Sequence, residues 1–223
     1  VGFVGLAVDF DAGHECLLGE GWCTGYEIWL LQPGLAVLVF CDEVDEYPGD
    51  VDGQGDPIAL AEKRTTGPTY ARRKVFLVST PTIKGLSRIE REFLASDQRR
   101  YFVPCPHCGN FDWIRWENIR WVENDAKSAA LACVTCGVLI EERFKMEMLK
   151  GGEWRPTAEG NSETIGFHLS SLYSPLGWLP WSAAVAEFLD AKESPMRLKN
   201  WVNSVLGETW EERGDSVEPE SLL

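Results

Sequence analysis

Two short apolar runs in the first half of the chain predict buried β-strands. Residues 36–41 and 74–79 each contain a block of contiguous apolar side chains, which is typical of strands covered on both faces of a parallel sheet. Between them, Asp56 and Pro57 have the order of a helix N-cap and first-turn residue, so a helix is predicted over residues 58–64. The order strand, helix, strand predicts an α/β fold.

Capping signals and periodicity predict two further helices. Ser87 and Glu90 have the spacing of a capping box and begin a helix that ends near residue 96. The apolar face of this helix is formed by Ile89, Phe93 and Leu94. Another helix is predicted from residue 194 to a stop at Gly207.

Four of the seven cysteines have the spacing of a metal site. Cys105 and Cys108 form one CxxC pair followed by glycine, and Cys133 and Cys136 form a second. Two residues between thiolates allow both sulfurs to face one tetrahedral ion, and glycine accommodates the tight turn that follows. The pattern predicts a structural zinc ion, because four thiolates leave no position for a reactive water. Redox activity is the alternative for a CxxC motif, and two pairs at this spacing disfavour it.

Other residues with metal-binding or redox potential are predicted to have structural roles. The insert between the two cysteine pairs is expected to form a hairpin through Trp113, Ile114, Trp116, Ile119 and Trp121. His107 is then a bystander, and His168 is expected to be a core or surface histidine because its neighbours are apolar. Cys16, Cys23 and Cys41 lack metal spacing and are expected to be buried or incidental thiols.

A pair of carboxylates follows the first apolar run. Asp42 and Glu43 fall where that strand is predicted to end, and such a pair could hold Mg²⁺ and polarise a water for nucleotide hydrolysis. A solvent-exposed strand end without a catalytic role can have the same sequence, so both interpretations remain open. The second strand ends in the sequence Ser-Thr-Pro-Thr at residues 79–82. This sequence either senses a terminal phosphate or forms a polar turn stopped by proline.

The glycine-rich stretch at residues 50–56 has the look of a calcium loop but not its spacing. An EF-hand loop that begins at Asp50 requires an acid at position 61, which is Ala61. A turn capped by Asp56 fits better. The chain contains no glycine-rich phosphate loop with its lysine and no arrangement of a nucleophile and a base.

The charge is unevenly distributed along the chain. The net charge is −14, yet every lysine and arginine lies at or beyond position 63, and many of them fall within residues 63–100. This basic stretch could bind phosphates of nucleic acid or form a solvated charged face. The chain shows no signal-peptide pattern and no apolar run long enough to span a bilayer, which predicts a soluble cytosolic protein without a membrane partner.

The order of these motifs resembles that of the large subunit of lambda-type phage terminases. The resemblance covers about residues 37–213 and rests on the segments 42–48, 53–64, 78–82, 96–101, 105–109 and 166–175. It implies an ATPase that translocates DNA into a prohead, joined to an endonuclease that cuts concatemeric DNA. The resemblance also implies Mg-ATP as a cofactor beside structural zinc.

The same resemblance implies roles for individual residues and a set of partners. Asp42 would hold the magnesium of Mg-ATP, and Glu43 would be the catalytic glutamate. Ser79 and Thr80 would form the phosphate-sensing and coupling motif, and the four cysteines would be the zinc ligands. The implied partners are double-stranded DNA, the small terminase subunit, the portal protein of the prohead and further copies of the chain, all in the host bacterial cytoplasm.

The resemblance also divides the chain into regions. The expected regions are an atypical segment at 1–36, either frameshifted or disordered, the C-terminal half of a P-loop ATPase domain at 37–100, a zinc ribbon at 101–150 and a helical connector at 151–223. Within the connector, the acidic residues from 208 onward lack periodicity and are expected to form a linker. The phosphate loop and the nuclease acids are expected outside this chain, so the fragment alone is expected to be inactive.

Two further hypotheses compete with the motor fragment. One is a zinc-ribbon module that binds nucleic acid through residues 63–100 without hydrolysing nucleotide. The other is a decayed prophage remnant without activity, which the unusual first forty residues favour.

Overall fold

A mixed β-sheet flanked by helices runs through the part of the chain that the structure describes. The structure is a computed structural model, and it describes residues 3–6, 28–31, 38–63, 65, 73–161 and 163–212. The strands are β1 (Phe3–Leu6), β2 (Ile28–Leu31), β3 (Leu38–Cys41), β4 (Lys74–Ser79), β5 (Arg99–Pro104), β6 (Phe111–Trp113), β7 (Ile119–Val122), β8 (Asp125–Ala132), β9 (Leu139–Ile140), β10 (Glu153–Arg155) and β11 (Gly166–Leu169). The helices are α1 (Pro57–Lys63), α2 (Arg88–Ala95), α3 (Lys145–Lys150), α4 (Trp181–Ala191) and α5 (Pro195–Trp201). The α/β class predicted from the sequence is confirmed.

The main sheet is mixed, whereas the sequence pattern predicted a parallel sheet. Its strand order is β10-β5-β11-β1-β4-β3-β2, with β6 paired to β5. The pairs β3–β4 and β5–β11 are parallel, and the other neighbours in this sheet are antiparallel. The pair β3–β4 can be parallel because α1 lies in the connection between the two strands. The short connection from β2 to β3 instead gives an antiparallel pair.

The glycine-rich turn and helix α1 form as predicted. Asp50 accepts hydrogen bonds from the amides of Gly53 and Gly55 at 2.5 and 2.7 Å, which closes the turn. Gly53 and Gly55 have φ of 76° and 108°, a region that favours glycine. Asp56 then accepts from the amides of Ile58 and Ala59 at 2.9 and 3.1 Å and caps α1. The turn interpretation of residues 50–56 is therefore confirmed.

Helix α2 begins as predicted, but only one of the two hydrogen bonds of its capping box forms. The Ser87 hydroxyl accepts from the amide of Glu90 at 3.1 Å. The Glu90 carboxylate does not return to Ser87, because it accepts from the amide of Gly85 at 2.7 Å and from the Thr209 hydroxyl at 2.6 Å. The prediction that Leu94 faces the core is wrong: its exposure is 59%, since it lies five residues past the buried Ile89 and turns away from that face.

The cysteine region forms a small second sheet with the order β7-β8-β9. Strands β7 and β8 make the hairpin predicted for the insert, and its turn includes Glu123 at a φ of 45°. Trp113 does not belong to this hairpin, because it lies on β6 and pairs with Phe102 of β5. The side chains of Trp116 and Trp121 pack together with Phe188 and Trp201 of the C-terminal helices.

The C-terminal region is only partly helical, which corrects the expectation of a helical connector. It contributes β10 and β11 to the main sheet, and it contains α4, which the sequence patterns did not predict. Helix α5 continues as a π-helical turn over Val202–Leu206 and ends at the predicted stop, Gly207, which has a left-handed conformation with φ of 65°. The residues that follow Gly207 are not a free linker, because the Trp210 amide donates to the Thr82 carbonyl at 2.9 Å. Residues 213–223 of the expected linker lie outside the described residues.

Two hydrophobic clusters support the fold. The smaller cluster lies around β3, β4 and α2 and includes Val39, Cys41, Val44, Ile89 and Phe93. The larger cluster joins the second sheet to β5, α4 and α5, and its members include Ile114, Ile119, Leu172, Trp181, Val185 and Trp201. None of the helices in the described ranges has the length and apolarity needed to cross a bilayer.

A buried ion pair lies at the start of α4. Lys145 is fully buried, and its Nζ lies 2.6 Å from Glu142 Oε1 and 5.0 Å from the Trp181 ring centre. The same carboxylate oxygen accepts from the Trp181 amide at 3.0 Å, so it caps the N-terminus of α4. Burial lowers the pKa of Lys145, and the Glu142 carboxylate opposes this effect. Such a pair holds geometry well, but removal of one partner leaves an unpaired charge in the core.

The expected atypical segment at residues 1–36 is described only at two strands. The backbones of β1 and β2 join the main sheet, with β1 between β11 and β4. Cys16 and Cys23 lie outside the described residues. The expectation of a frameshifted or disordered segment is therefore not addressed by the described part of the chain.

His168 on β11 is a buried histidine, in agreement with its apolar neighbours. Its exposure is 8%, and its Nε2 donates to the Gly207 carbonyl at 3.0 Å. Burial, together with the nearby Arg100 guanidinium, lowers the pKa of His168 to about 3. The imidazole is therefore neutral in the folded protein at neutral pH.

We predict that His168 makes the stability of the fold sensitive to mild acid. In the unfolded chain the imidazole takes up a proton below its ordinary pKa of 6.5, whereas the folded imidazole does not until about pH 3. The unfolded state then binds more protons, so the free energy of unfolding falls by about 1.4 kcal/mol between about pH 7.5 and about pH 5.5. Chemical unfolding of the wild type and of His168→Gln across this range measures the difference.

The matched control is His107→Gln, which alters an exposed histidine and should retain the pH dependence of the wild type. The Glu208 carboxyl is partly desolvated, which raises its pKa and acts in the opposite sense. The difference between the wild-type and His168→Gln curves removes this contribution. Identical curves for these two proteins would show that His168 is not the source.

Candidate functional site

The parallel register of β3 and β4 brings the polar residues that follow both strands to one edge of the sheet. Cys41, the last residue of β3, pairs with Leu77 of β4, and the Phe40 and Phe76 rings stack with centres 5.1 Å apart. Asp42 and Glu43 follow β3 at this edge, and residues 79–82 leave β4 beside them. The two motifs that the sequence separates by more than thirty residues are therefore neighbours.

Glu43 contacts the turn at the end of β4. Its Oε2 accepts a hydrogen bond from the Ser79 hydroxyl at 3.4 Å and from the Thr80 amide at 3.3 Å. Glu43 itself has φ of 51° and ψ of 48°, a left-handed conformation that costs a residue other than glycine about 1–2 kcal/mol. This backbone bend turns the exposed Glu43 side chain from β3 toward the neighbouring strand.

Asp42 has a different environment from Glu43. Its Oδ1 accepts the Glu43 amide at 3.1 Å, which braces the bend after β3. The Asp42 side chain is half-buried and lies directly at the strand end. A carboxylate oxygen in this position can serve as a ligand for a hard cation such as Mg²⁺.

Asp45 is the residue of this site that sequence reasoning missed. Its Oδ2 accepts from both the amide and the hydroxyl of Thr82, at 3.0 and 2.9 Å, and its Oδ1 accepts from the Ile89 amide at 2.9 Å. The Asp45 amide donates to the Ser79 hydroxyl at 3.1 Å. One carboxylate thus joins the end of β3, the turn after β4 and the first turn of α2.

Arg88, which belongs to the basic stretch at residues 63–100, has a structural position beside the site. Its Nη2 donates to the Pro48 carbonyl at 2.6 Å and lies 3.1 Å from Asp56 Oδ2. Its Nη1 is buried and makes no hydrogen bond within the described residues. Arg88 therefore fastens the loop after Asp42 and Glu43 to α2. A buried donor without a partner is uncommon and marks a place for a water or an anion.

Cys41 is an inert thiol of the core, as its lack of metal spacing predicted. It is fully buried in β3. Burial, together with the negative charges of Glu62 and Asp56, raises the pKa of the Cys41 thiol to about 12. A thiol with this pKa stays protonated at neutral pH and is a poor nucleophile.

The four cysteines with metal spacing come together in the fold. Their sulfurs all lie within 4.8 Å of one another, with Cys105 Sγ 3.9 Å from Cys136 Sγ and Cys108 Sγ 3.8 Å from Cys133 Sγ. The cluster is half open to solvent, since Cys108 and Cys136 are exposed. The arrangement can hold a metal ion.

Each cysteine pair lies in the bend of a hairpin, and the two bends have the same hydrogen bonds. The first lies between β5 and β6, where the Gly109 amide donates to the Cys105 carbonyl at 2.8 Å. The second lies between β8 and β9, where the Gly137 amide donates to the Cys133 carbonyl at 2.9 Å. Both glycines have positive φ, 75° and 73°, as the tight turns require.

Hydrogen bonds in the second bend also change the pKa of the Cys133 thiol. Burial raises the pKa of the Cys133 thiol, but hydrogen bonds from the backbone amides of Cys136 and Thr135, together with those from the Cys136 and Cys105 thiols, lower the pKa to about 7. His107 is exposed, outside the cluster, and packs edge-on against Phe144 with ring centres 5.7 Å apart. It has the bystander position that the sequence predicted.

The basic stretch at residues 63–100 is largely engaged with local partners. Five of its basic side chains lie 2.7–3.5 Å from a carboxylate: Arg73, Lys84, Arg88, Arg91 and Arg99. The Arg100 guanidinium lies over the Phe93 ring, 5.2 Å from its centre. Arg64 and Arg72 lie outside the described residues. Phosphate binding by this stretch would have to compete with these ion pairs.

Two family models match successive parts of the chain. The model described as "Phage terminase large subunit gpA, ATPase domain" matches residues 31–154. The model described as "Terminase large subunit gpA, endonuclease domain" matches residues 164–223. The carboxylates after β3, the turn after β4 and the cysteine cluster all lie within the first match. The second match covers most of residues 151–223, which the sequence analysis expects to be a connector.

Two curated relatives extend this similarity. The chain is 31% identical over 228 aligned residues to the terminase large subunit of Enterobacteria phage P21, and the alignment covers 91% of this chain and 35% of the relative. It is 27% identical over 195 residues to the terminase large subunit of Escherichia phage lambda, with coverage of 76% and 30%. The chain spans about a third of the length of these relatives. No solved structure matches the chain. From the two successive domain matches and these relatives, the chain belongs to the gpA family of phage terminase large subunits.

Proposed function

We propose that this chain is part of an ATP-driven motor that packages double-stranded DNA, together with part of the endonuclease joined to it. The observation that carries the proposal is the contact between Glu43 and the turn at Ser79 and Thr80, within the region that matches the ATPase model. Two strand-end motifs of different chemistry meet there, one with carboxylates and one with hydroxyls. Nucleotide hydrolysis requires such a meeting of a metal-binding acid, a water-orienting acid and a phosphate-facing turn.

The residues of the site divide the work in the proposed reaction. Mg-ATP, when bound, supplies the phosphoryl group and the metal charge that stabilises the transition state. Asp42 would bind the magnesium through a carboxylate oxygen. Glu43 would orient the attacking water and accept its proton as a general base. Ser79 and Thr80 already donate to Glu43, so a change in what Glu43 binds changes the hydrogen bonds of the turn. These two residues are proposed as the phosphate-sensing and coupling motif.

The cysteine cluster is proposed to hold a structural zinc ion. Zn–S bonds of about 2.3 Å in a tetrahedron place the sulfurs about 3.8 Å apart. The distances of 3.9 Å for Cys105–Cys136 and 3.8 Å for Cys108–Cys133 fit this geometry. Four thiolates complete the coordination, so the ion has no position for a substrate. Its role is to lock the hairpin β5–β6 against the hairpin β8–β9.

The proposed organisation divides the chain more finely than the two family matches, which support an ATPase part at residues 31–154 followed by an endonuclease part at residues 164–223. Residues 37–100 form the C-terminal half of a P-loop ATPase domain, residues 101–150 form the zinc ribbon, and the residues beyond lead into the endonuclease. The proposed partners are double-stranded DNA, the small terminase subunit, the portal of the prohead and further copies of the chain, in the host bacterial cytoplasm. The competing zinc-ribbon module relies on a free basic face, and the ion pairs within residues 63–100 favour the motor instead.

We predict that Glu43→Gln abolishes ATP turnover. The amide keeps the size of the side chain and its contact with the turn, but it can no longer take up a proton from water. We expect kcat for ATP hydrolysis to fall by about 10²- to 10⁴-fold with little change in KM. Steady-state phosphate release measures this in the longest form of the protein that joins this segment to a phosphate loop.

The matched control for this prediction is Glu46→Gln, which makes the same chemical change at an exposed acid of the same loop. It should leave kcat within about twofold of the wild type. Equal turnover by Glu43→Gln and the wild type would remove Glu43 from the reaction.

We predict that the purified chain contains about one zinc ion, which needs all four thiolates to complete its tetrahedral coordination. Cys105→Ser and Cys136→Ser should each lose the metal and lower the thermal stability, since zinc joins the two hairpins. Mass spectrometry of bound metal and thermal unfolding measure both effects. Cys41→Ala is the control, because this thiol lies in the sheet core and should not affect zinc content. Zinc that persists in both serine variants would contradict the proposed ligands.

A further inference from the structure

The C-terminal part of the chain contacts the backbone of the turn of the candidate nucleotide site. The Thr82 carbonyl accepts from Asn203 Nδ2 at 2.9 Å and from the Trp210 amide at 2.9 Å. The Lys84 amide donates to the Trp210 carbonyl at 3.0 Å, and Ile83 forms a parallel bridge with Trp210. Residues 82–84 and 210 therefore pair in the manner of two short strands.

Thr82 has its donors on one side of the turn and its acceptor on the other. Its amide and hydroxyl donate to Asp45, at 3.0 and 2.9 Å, beside the site of Glu43. Its carbonyl faces Asn203 and Trp210. Asp45, Thr82, Asn203 and Trp210 form a continuous set of hydrogen bonds, which we name the Thr82 link.

Two features hold the C-terminal segment firmly at this place. Asn203 Nδ2 also donates to the Glu208 carbonyl at 2.8 Å, so one amide group braces both the turn and its own segment. The Thr209 hydroxyl donates to Glu90 on α2 at 2.6 Å, and the same carboxylate accepts from Gly85 at 2.7 Å. Any movement of the turn must break these contacts or carry residues 203–210 along.

We propose that the Thr82 link transmits the state of the nucleotide site to the endonuclease part of the chain. The proposal rests on the proposed ATPase function of the site around Glu43. The segment 203–210 lies within the endonuclease match at residues 164–223, whereas Asp45 and Thr82 lie within the ATPase match at residues 31–154. When Glu43 changes partners and the turn shifts, the hydrogen bonds from Thr82 to Asp45 and from Asn203 to Thr82 pass the displacement to the segment 203–210. Asn203 is a positioning residue in this account, because it acts only through Thr82.

The charge of Asp45 gives the link its stiffness. Its carboxylate accepts three hydrogen bonds, two from Thr82 and one from Ile89. Hydrogen bonds to an ionised acceptor are stronger than those between neutral groups. The turn and the start of α2 therefore respond to each other through Asp45, and Glu90 connects that helix to Thr209. The segment 203–210 is therefore contacted twice, by the turn through Thr82 and by α2 through Glu90.

The test is amide hydrogen exchange of the full chain, followed by NMR, in Asn203→Ala and Asn200→Ala. Both variants make the same chemical change, but Asn200 is exposed on α5 and lies outside the link. If the link is continuous, Asn203→Ala accelerates exchange of the Thr82 and Ile89 amides, both bound to Asp45, by about tenfold. Asn200→Ala should leave both amides unchanged. Acceleration confined to Trp210 and its neighbours would overturn the link.

A second variant tests the link from the opposite end. Thr82→Val keeps the shape of the side chain and removes only the hydroxyl that donates to Asp45. We expect faster exchange of the Trp210 amide, by several-fold, in a variant whose other strand amides keep their protection. Unchanged Trp210 exchange in this variant would also overturn the proposal. This variant is the decisive one if Asn203→Ala fails to fold.

A separate measurement tests whether the site binds nucleotide, independently of the Thr82 link. Addition of Mg-ATP to the wild type, in the longest form of the protein that joins this segment to a phosphate loop, should change the exchange of the Thr80 amide, which donates to Glu43. If Thr80 and Trp210 both respond, the function and the link are both supported. If Thr80 responds and Trp210 does not, the link fails while the proposed function stands. If Thr80 does not respond, the proposed function fails, and the transmission proposal that rests on it fails with it.

Discussion

The parallel pairing of β3 with β4 is the constraint on which the site depends. Because Cys41 lies opposite Leu77, both chains leave the sheet at the same edge, and Glu43 reaches Ser79 and Thr80. A shift of register by one residue would turn the side chains of β3 to the opposite face and separate these groups. The buried side chains of β3, with Val39 and Cys41 fully enclosed, hold this register. Core packing thus fixes the geometry of a polar site at its edge.

Three acids at this edge have separate tasks because the backbone bends after β3. The left-handed conformation of Glu43 directs its carboxylate to the turn, while the following 3₁₀ turn at Val44–Glu46 buries Val44 and aims Asp45 at Thr82 and α2. The strain at Glu43 is sustained by these contacts. The cysteine cluster joins the hairpin β5–β6 of the main sheet to the hairpin β8–β9 of the second sheet, and residues of both sheets share the larger hydrophobic cluster with α4 and α5. The contacts of Thr82 then join the edge of the ATPase region to the segment that follows α5.

Local signals were sufficient for much of this fold. The apolar run of β4, the capping of α1 by Asp56, the stop at Gly207 and the two CxxC pairs each depend on neighbouring residues, and the structure has all of them. Non-local contacts could not be predicted in the same way. Glu90 completes no capping box because Thr209, far along the chain, offers a better placed donor. Helix α4 begins at a cap supplied by Glu142, which lies outside that helix. Asp45 could not be distinguished from the neighbouring acids by sequence, because its carboxylate binds residues of the turn after β4 and of α2.

The central claim is that the edge formed by β3 and β4 binds a metal nucleotide. The most direct measurement replaces magnesium by paramagnetic manganese and records the amide NMR spectrum of the zinc-loaded protein with ATP, in the form that joins this segment to a phosphate loop. We expect selective broadening of the Glu43 and Thr80 amide signals, while those of Gly109 and Gly137 beside the cysteines stay sharp. Sharp signals at Glu43 and Thr80, or equal broadening of all four, would contradict it.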